Sequence, residues 1–213
     1  MDGKAVDRVV RDVVRPALCE AGFDAFNGRG AWRHHDQTVD LVVFRSFNAY
    51  IADGVGCTTF SFAVSAGVFY ACMTDEVIPR PKDYELTFGF ELVKSLRQPY
   101  FHPYGRQGSQ DRPDVWYVLP DGSNLMECVV DALDAIKASG LPLIDRFTNP
   151  ADAFQGLLAE TSTSASFGNP GITMPGAPGS PRWRETTLAI GHLVTAHAES
   201  EIQKAPVLAD RTR

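Results

Sequence analysis

The chain has 213 residues, 44% hydrophobic and 22% charged, with a formal net charge of -6. A single domain this long buries about 70% of its unfolded surface, which removes the need for a disulfide or metal staple. The acidic balance argues against general affinity for phosphate backbones, and no run of Lys and Arg marks a local basic patch.

Val6, Val9, Val10, Val13, Val14, Ala17 and Leu18 recur at three- and four-residue intervals, which predicts an amphipathic helix near residues 3 to 21. Pro16 is expected to kink or split it, and Gly22 to stop it. Phe23 to Phe26 begins a sheet, Asn27-Gly28-Arg29-Gly30 turns, and Ala31 to His35 returns. Thr38 to Phe47 (TVDLVVFRSF) and Thr59 to Tyr70 (TFSFAVSAGVFY) are long strand patterns. Asp53-Gly54-Val55-Gly56 between them suits a chain reversal, so the pair is read as antiparallel. Val42 and Phe44 oppose Leu41 and Val43, as in a central strand covered on both faces. Phe60, Phe62, Val64, Ala66, Val68 and Tyr70 share one face of the second run. The small residues opposite, Ser61, Ala63, Ser65 and Gly67, leave room for a close-packed helix or a ligand.

Pro79 and Pro81 exclude a strand from the next segment. Leu86, Phe88, Phe90 and Leu92 alternate again, residues 97 to 113 read as a loop, and Val115 to Leu119 (VWYVL) reads as a short strand. Ser123 is placed to cap a helix packed through Met126, Val129, Val130, Leu133 and Ile136 and stopped by Gly140. Asn149-Pro150 opens another helix. Ser, Thr, Gly and Pro dominate residues 161 to 181, a linker or long loop. Ser180-Pro181 starts a last helix to about Lys204, with Leu188, Leu193, Val194, Ala198 and Ile202 available for packing. The expected fold class is α+β: one antiparallel sheet of about five strands, an N-terminal helix and three C-terminal helices. Residues 1–160 form the core domain and 182–213 a helix packed on it.

The charged N-terminus lacks the apolar core of a signal peptide. No stretch reaches the ~18 apolar residues of a membrane helix. A cytoplasmic protein with no membrane partner is the expectation. Cys19, Cys57, Cys72 and Cys128 are scattered and read as buried small hydrophobes, since zinc ligands group at short spacing.

Several pieces together resemble the bacterial domain-of-unknown-function 4304 family: the helix running into PALCEAGF, the AWRHHDQTVDLVVFRSF and FSFAVSAGVFY segments, RPDVWYVLPDG and GLPLIDRF. The similarity spans most of residues 5 to 160. It implies this fold and carries no activity that transfers residue by residue.

Chemistry-bearing groups are sparse. His34 and His35 are neighbours on a strand and face opposite ways, so they do not share a metal. His192 and His197 lie about 140° apart on a helix. Arg45 ends an apolar stripe formed by Val39, Leu41, Val43 and Phe47. If that face is the core, Arg45 needs a buried ion-pair partner or snorkels to the sheet edge; at a rim it would receive a small anion or a partner's carboxylate. Tyr100, His102, Arg112 and Trp116 belong to an aromatic and arginine-rich stretch of the kind enriched at protein interfaces. No elbow, phosphate loop or dinucleotide fingerprint is present. The expectation is a non-enzymatic protein-interaction module with no catalytic residue, metal or cofactor, in its specific form an inhibitor of a basic toxin. The alternative is a small-ligand binder or enzyme with a pocket between sheet and helices, lined by Arg33, Arg45, Tyr50 and Trp116. Nucleic acid bound through residues 97–117 is a third reading, disfavoured by the net charge.

Overall fold

A computed structural model describes residues 3–74, 76–98, 112–162, 172–173 and 181–204. Helix α1 (Gly3–Glu20) packs Val6, Val10, Val14 and Leu18 inward, and it runs unbroken through Pro16. Gly22 takes φ 87°, a left-handed conformation that costs glycine nothing, and Phe23 N–H closes the helix end on the Leu18 carbonyl at 2.9 Å.

The sheet is a meander. Strands β1 (Ala25–Phe26), β2 (Gly30–His34), β3 (Thr38–Ser46), β4 (Phe62–Tyr70) and β5 (Phe88–Glu91) lie in chain order, every neighbouring pair antiparallel. A two-residue strand β6 (Ile172–Thr173) extends the β5 edge. The Asn27 side-chain oxygen accepts from Gly30 N–H at 2.7 Å, which sets the β1–β2 turn. The expected reversal between β3 and β4 holds a helix, α2 (Ala49–Val55). Asn48 caps it by accepting from Ile51 N–H at 2.8 Å, and Gly56 ends it at φ 77°.

Helices cover one face of the sheet. Phe62, Val64, Ala66, Val68 and Tyr70 of β4 point to that face and join Val42, Phe44, Phe88 and Phe90 in the main core. Each fully buried aromatic there stabilises the fold by roughly 2–3 kcal/mol over its exposed state. The expected open face of small residues is filled. A Cβ on Gly67 would lie 2.2 Å from the Phe88 carbonyl oxygen and 2.7 Å from Leu86 Cδ1. Leu86, Phe69, Trp32, Val39 and Leu41 close that side as a second cluster, and Trp32 Nε1 donates to the Pro81 carbonyl at 2.9 Å. The small residues admit a neighbouring chain segment, not a helix. Strand β3 is buried on both faces over most of its length.

Val115 to Leu119 is not a strand; within it only Trp116 pairs, with Phe62. Gly140 does not stop its helix. Helix α3 (Leu125–Ala135) runs through a π-helical turn (Ile136–Gly140) directly into α4 (Leu141–Thr148). Ser123 hydroxyl donates to Asp121 at 2.9 Å and caps nothing. Helix α5 (Pro150–Ser162) opens on Asn149, which accepts from Ala151 N–H at 2.9 Å. Helix α6 (Pro181–Lys204) packs on α5 with Ile190 fully buried, while Leu188, expected inside, is 66% exposed. The side chains of Ala198 and Ile202, and most of residues 161–181, lie outside the described residues. No described helix is long and apolar enough to cross a membrane.

Candidate functional site

The residues singled out by sequence do not converge. Arg33 sits on the helix-covered face, where its Nε donates to Asp40 at 2.7 Å, Nη1 to the Ala21 carbonyl at 3.0 Å and Nη2 to Asp145 of α4 at 2.5 Å. Burial opposes its charge, and the hydrogen bonds to Asp145 and Asp40 outweigh that, so its pKa is raised. Arg45 lies on the opposite face. It pairs with Glu91 and sits 3.7 Å from Asp83, the ion-pair outcome at the end of its apolar stripe. Burial raises the Glu91 pKa despite Arg45 and a hydroxyl hydrogen bond from Ser65. Tyr50 projects from α2, 89% exposed. Trp116 is wholly buried, stacked on Phe62 at 5.8 Å, with Nε1 donating to Asp131 at 2.8 Å. Arg112 forks onto its neighbour Asp114. Tyr100 and His102 lie outside the described residues. Arg33, Arg45, Tyr50 and Trp116 therefore line no common pocket.

The histidines part as expected. His34 bridges Asp24 at 2.7 Å and the Pro79 carbonyl at 2.6 Å. His35 Nε2 reaches Asp40 at 2.8 Å. Asp40 is wholly buried and also accepts from the Thr148 hydroxyl at 2.7 Å, so it ties β2 and β3 to α4. All of its close partners are donors, which makes the node structural.

Two of the four cysteines depart from expectation: Cys57 and Cys128 are buried, Cys19 and Cys72 exposed. Burial pushes the Cys57 and Cys128 thiols up to about 11, which leaves them poor nucleophiles at neutral pH. Cys57 borders a cleft of about 210 Å³ with Gln98, Tyr117 and Asn124. The amides there are already used: Gln98 accepts from Tyr117 N–H at 2.8 Å, and Asn124 accepts from Leu119 N–H at 2.8 Å. The side-chain amides of that smaller cleft are therefore committed within the fold.

The larger cavity is one the sequence reading did not find. A half-open cleft of about 450 Å³ lies between α1 and the β1–β2 edge of the sheet. Lys4, Arg8, Arg11, Arg15 and Arg29 line it, with Asp7 as the sole carboxylate among its lining residues. At 100° per residue, the four α1 cations fall within an arc of about 60°. No unbroken basic run exists, so a search for runs misses what helical periodicity collects. Among the described residues, Arg11 pairs with Asp12 at 2.8 Å and Arg15 lies over the Phe26 ring at 4.6 Å, whereas Lys4 and Arg8 pair with no carboxylate.

Arg29 holds the distinctive position. Its side chain is 18% exposed and its Nε donates to Asp7 at 2.5 Å. Its Nη1 is shielded from solvent and has no hydrogen-bond partner among the described residues. A shielded guanidinium N–H without an acceptor costs about 1–3 kcal/mol, a penalty removed when a shift of the Arg29 side chain lets an anion in the cleft reach it. Behind the cations, Val10, Val14, Leu18, Ala31, Val42 and Phe44 form an apolar wall.

No family model matches the chain, and no curated protein or solved structure is significantly similar to it.

Proposed function

We propose that this protein is a binding protein, not an enzyme, and that its cleft between α1 and the β1–β2 edge takes a small anionic ligand. The single observation that carries this reading is the shielded, unpartnered Nη1 of Arg29 within a wall of four further cations. The cleft lies between sheet and helix, as the alternative sequence expectation has it, but its lining includes none of Arg33, Arg45, Tyr50 and Trp116. The likeness to the domain-of-unknown-function 4304 family remains a proposal of kinship and adds no activity. Isothermal titration with a panel of phosphates and carboxylates tests the reading. Binding is expected for wild type and at least tenfold weaker for Arg29→Gln, since a charged hydrogen bond contributes about 1.5–3 kcal/mol. Equal affinity in the two proteins would exclude Arg29 as the anion's seat.

A second reading, docking of another protein, is favoured by α2. Tyr50 and Ile51 project from it, 89% and 45% exposed, as hot-spot residues do. The net charge of -6 suits a basic partner such as a toxin. Against any candidate partner, Tyr50→Ala should weaken association without altering the unfolding curve; unchanged association removes α2 from the interface.

A further inference from the structure

Resting on that anion-binding reading, we infer that the cleft takes a single-chain amphipathic anion: one phosphate or carboxylate head joined to an unbranched aliphatic body. The head group is indicated by Arg29 Nη1, which lacks an acceptor, with Lys4 and Arg8 of the same lining free of carboxylate partners among the described residues. The body is indicated by what the wall lacks. Val10, Val14, Leu18, Ala31, Val42 and Phe44 offer neither amide nor hydroxyl. The one neutral polar side chain of the lining, Asn27, already accepts from Gly30 N–H at 2.7 Å and Arg29 N–H at 3.2 Å through its carbonyl oxygen. A nucleobase or a sugar needs edge donors and acceptors to be selected, and buried polar groups left unpaired are penalised. An aliphatic chain needs none. The cavity, about 450 Å³, falls within the range of small-molecule sites, and Lys4 to Arg15 spans about 16 Å of helix. Arg11 is engaged by Asp12 and Arg15 by the Phe26 ring, so the carboxylate-free cations Lys4 and Arg8 lie toward the N-terminal end of α1 and Val14 and Leu18 toward its C-terminal end, which suits a molecule charged at one end.

The test is titration of the full chain with octyl phosphate below its micelle concentration, beside inorganic phosphate, butyl phosphate and octyltrimethylammonium. Octyl phosphate is expected to bind best, each methylene buried between butyl and octyl raising affinity about fourfold. Arg29→Gln and, separately, the surface variant Arg8→Gln should each weaken octyl phosphate while circular dichroism stays unchanged. Octyltrimethylammonium should not bind. Inorganic phosphate binding as tightly as octyl phosphate would overturn the amphipathic class and leave the anion reading standing. No binding by either phosphate would overturn both. Equal binding of the octyl cation would show a merely apolar cleft and overturn the inference. Sedimentation with phosphatidylglycerol vesicles separates a free amphiphile from a bilayer lipid: vesicle binding without octyl phosphate binding would refute a single-chain ligand.

Discussion

Replacing Asp40 with alanine should cost about 3 kcal/mol of stability. Asp40 has no exposed surface and accepts from Arg33 Nε at 2.7 Å, His35 Nε2 at 2.8 Å and the Thr148 hydroxyl at 2.7 Å. Breaking a buried ion pair from one side typically costs 3–5 kcal/mol, because the remaining charge is stranded. Arg33 is only partly stranded: it keeps Asp145 at 2.5 Å and the Ala21 carbonyl at 3.0 Å. That places the estimate at the low end, about 3 kcal/mol. Asparagine retains one acceptor oxygen but turns an amide toward a cation, so Asp40→Asn should lose about 2 kcal/mol. Urea unfolding followed by circular dichroism measures both, with the denaturant slope expected to stay constant. A double-mutant cycle with Arg33→Ala should return a coupling of about 1–3 kcal/mol. A loss under about 1 kcal/mol for Asp40→Ala, or a coupling near zero, would refute the account of this node.

Gly67→Ala should destabilise by about 1–3 kcal/mol through overpacking, because its Cβ would lie 2.2 Å from the Phe88 carbonyl oxygen; unfolding at the wild-type midpoint would contradict the β4–β5 register. The hydrogen bond to the Pro79 carbonyl, aided by Asp24 and opposed by burial, raises the His34 pKa above its usual 6.5. A raised folded pKa contributes stability that is fully present below the unfolded value and lost as pH rises through the folded one. The urea midpoint of wild type should therefore exceed that of His34→Gln at about pH 5.5 and converge toward it by about pH 8.5, and a gap that widens with pH would reverse the sign. In native protein at pH 8, iodoacetamide should label Cys19 and Cys72 and spare Cys57 and Cys128, as mass spectrometry would read; rapid labelling of Cys128 would contradict its burial.

The strands were legible because alternation survives translation into structure: Leu86, Phe88, Phe90 and Leu92 are all buried, as their spacing requires. The segment Val115 to Val118 misled for a physical reason. All four residues are buried, yet partners outside any ladder satisfy the backbone: Gln98 accepts from Tyr117 N–H, Ser61 Oγ from Val118 N–H, and Lys94 Nζ donates to the Val115 carbonyl. Nothing in local periodicity reveals side chains arriving from elsewhere. Helix α2 had both signals, Asn48 before it and Gly56 after it, but seven residues leave too little periodicity to separate a helix from a turn. The join at Gly140 has a subtler cause. Cys128, Ala132, Ile136, Gly140 and Ile144 are buried at successive four-residue steps, and each such step drifts about 40° around an ordinary α-helix. The wider π turn absorbs the drift and keeps the stripe on the core. The cleft stayed hidden because its basic stripe shares α1 with an apolar stripe, and only the fold shows what the second stripe faces.

The meander order of the sheet also orders events in time. Pairing β1 with β2, β2 with β3 and β3 with β4 closes loops of at most fifteen residues, the span from Phe47 to Ser61. Joining β5 to β6 closes the stretch from 92 to 171, eighty residues, an added entropic cost of about 1.5 kcal/mol. The central hairpins need not wait for distant partners, whereas the β6 edge must, so the sheet is expected to grow outward from β3 and β4 and acquire that edge last.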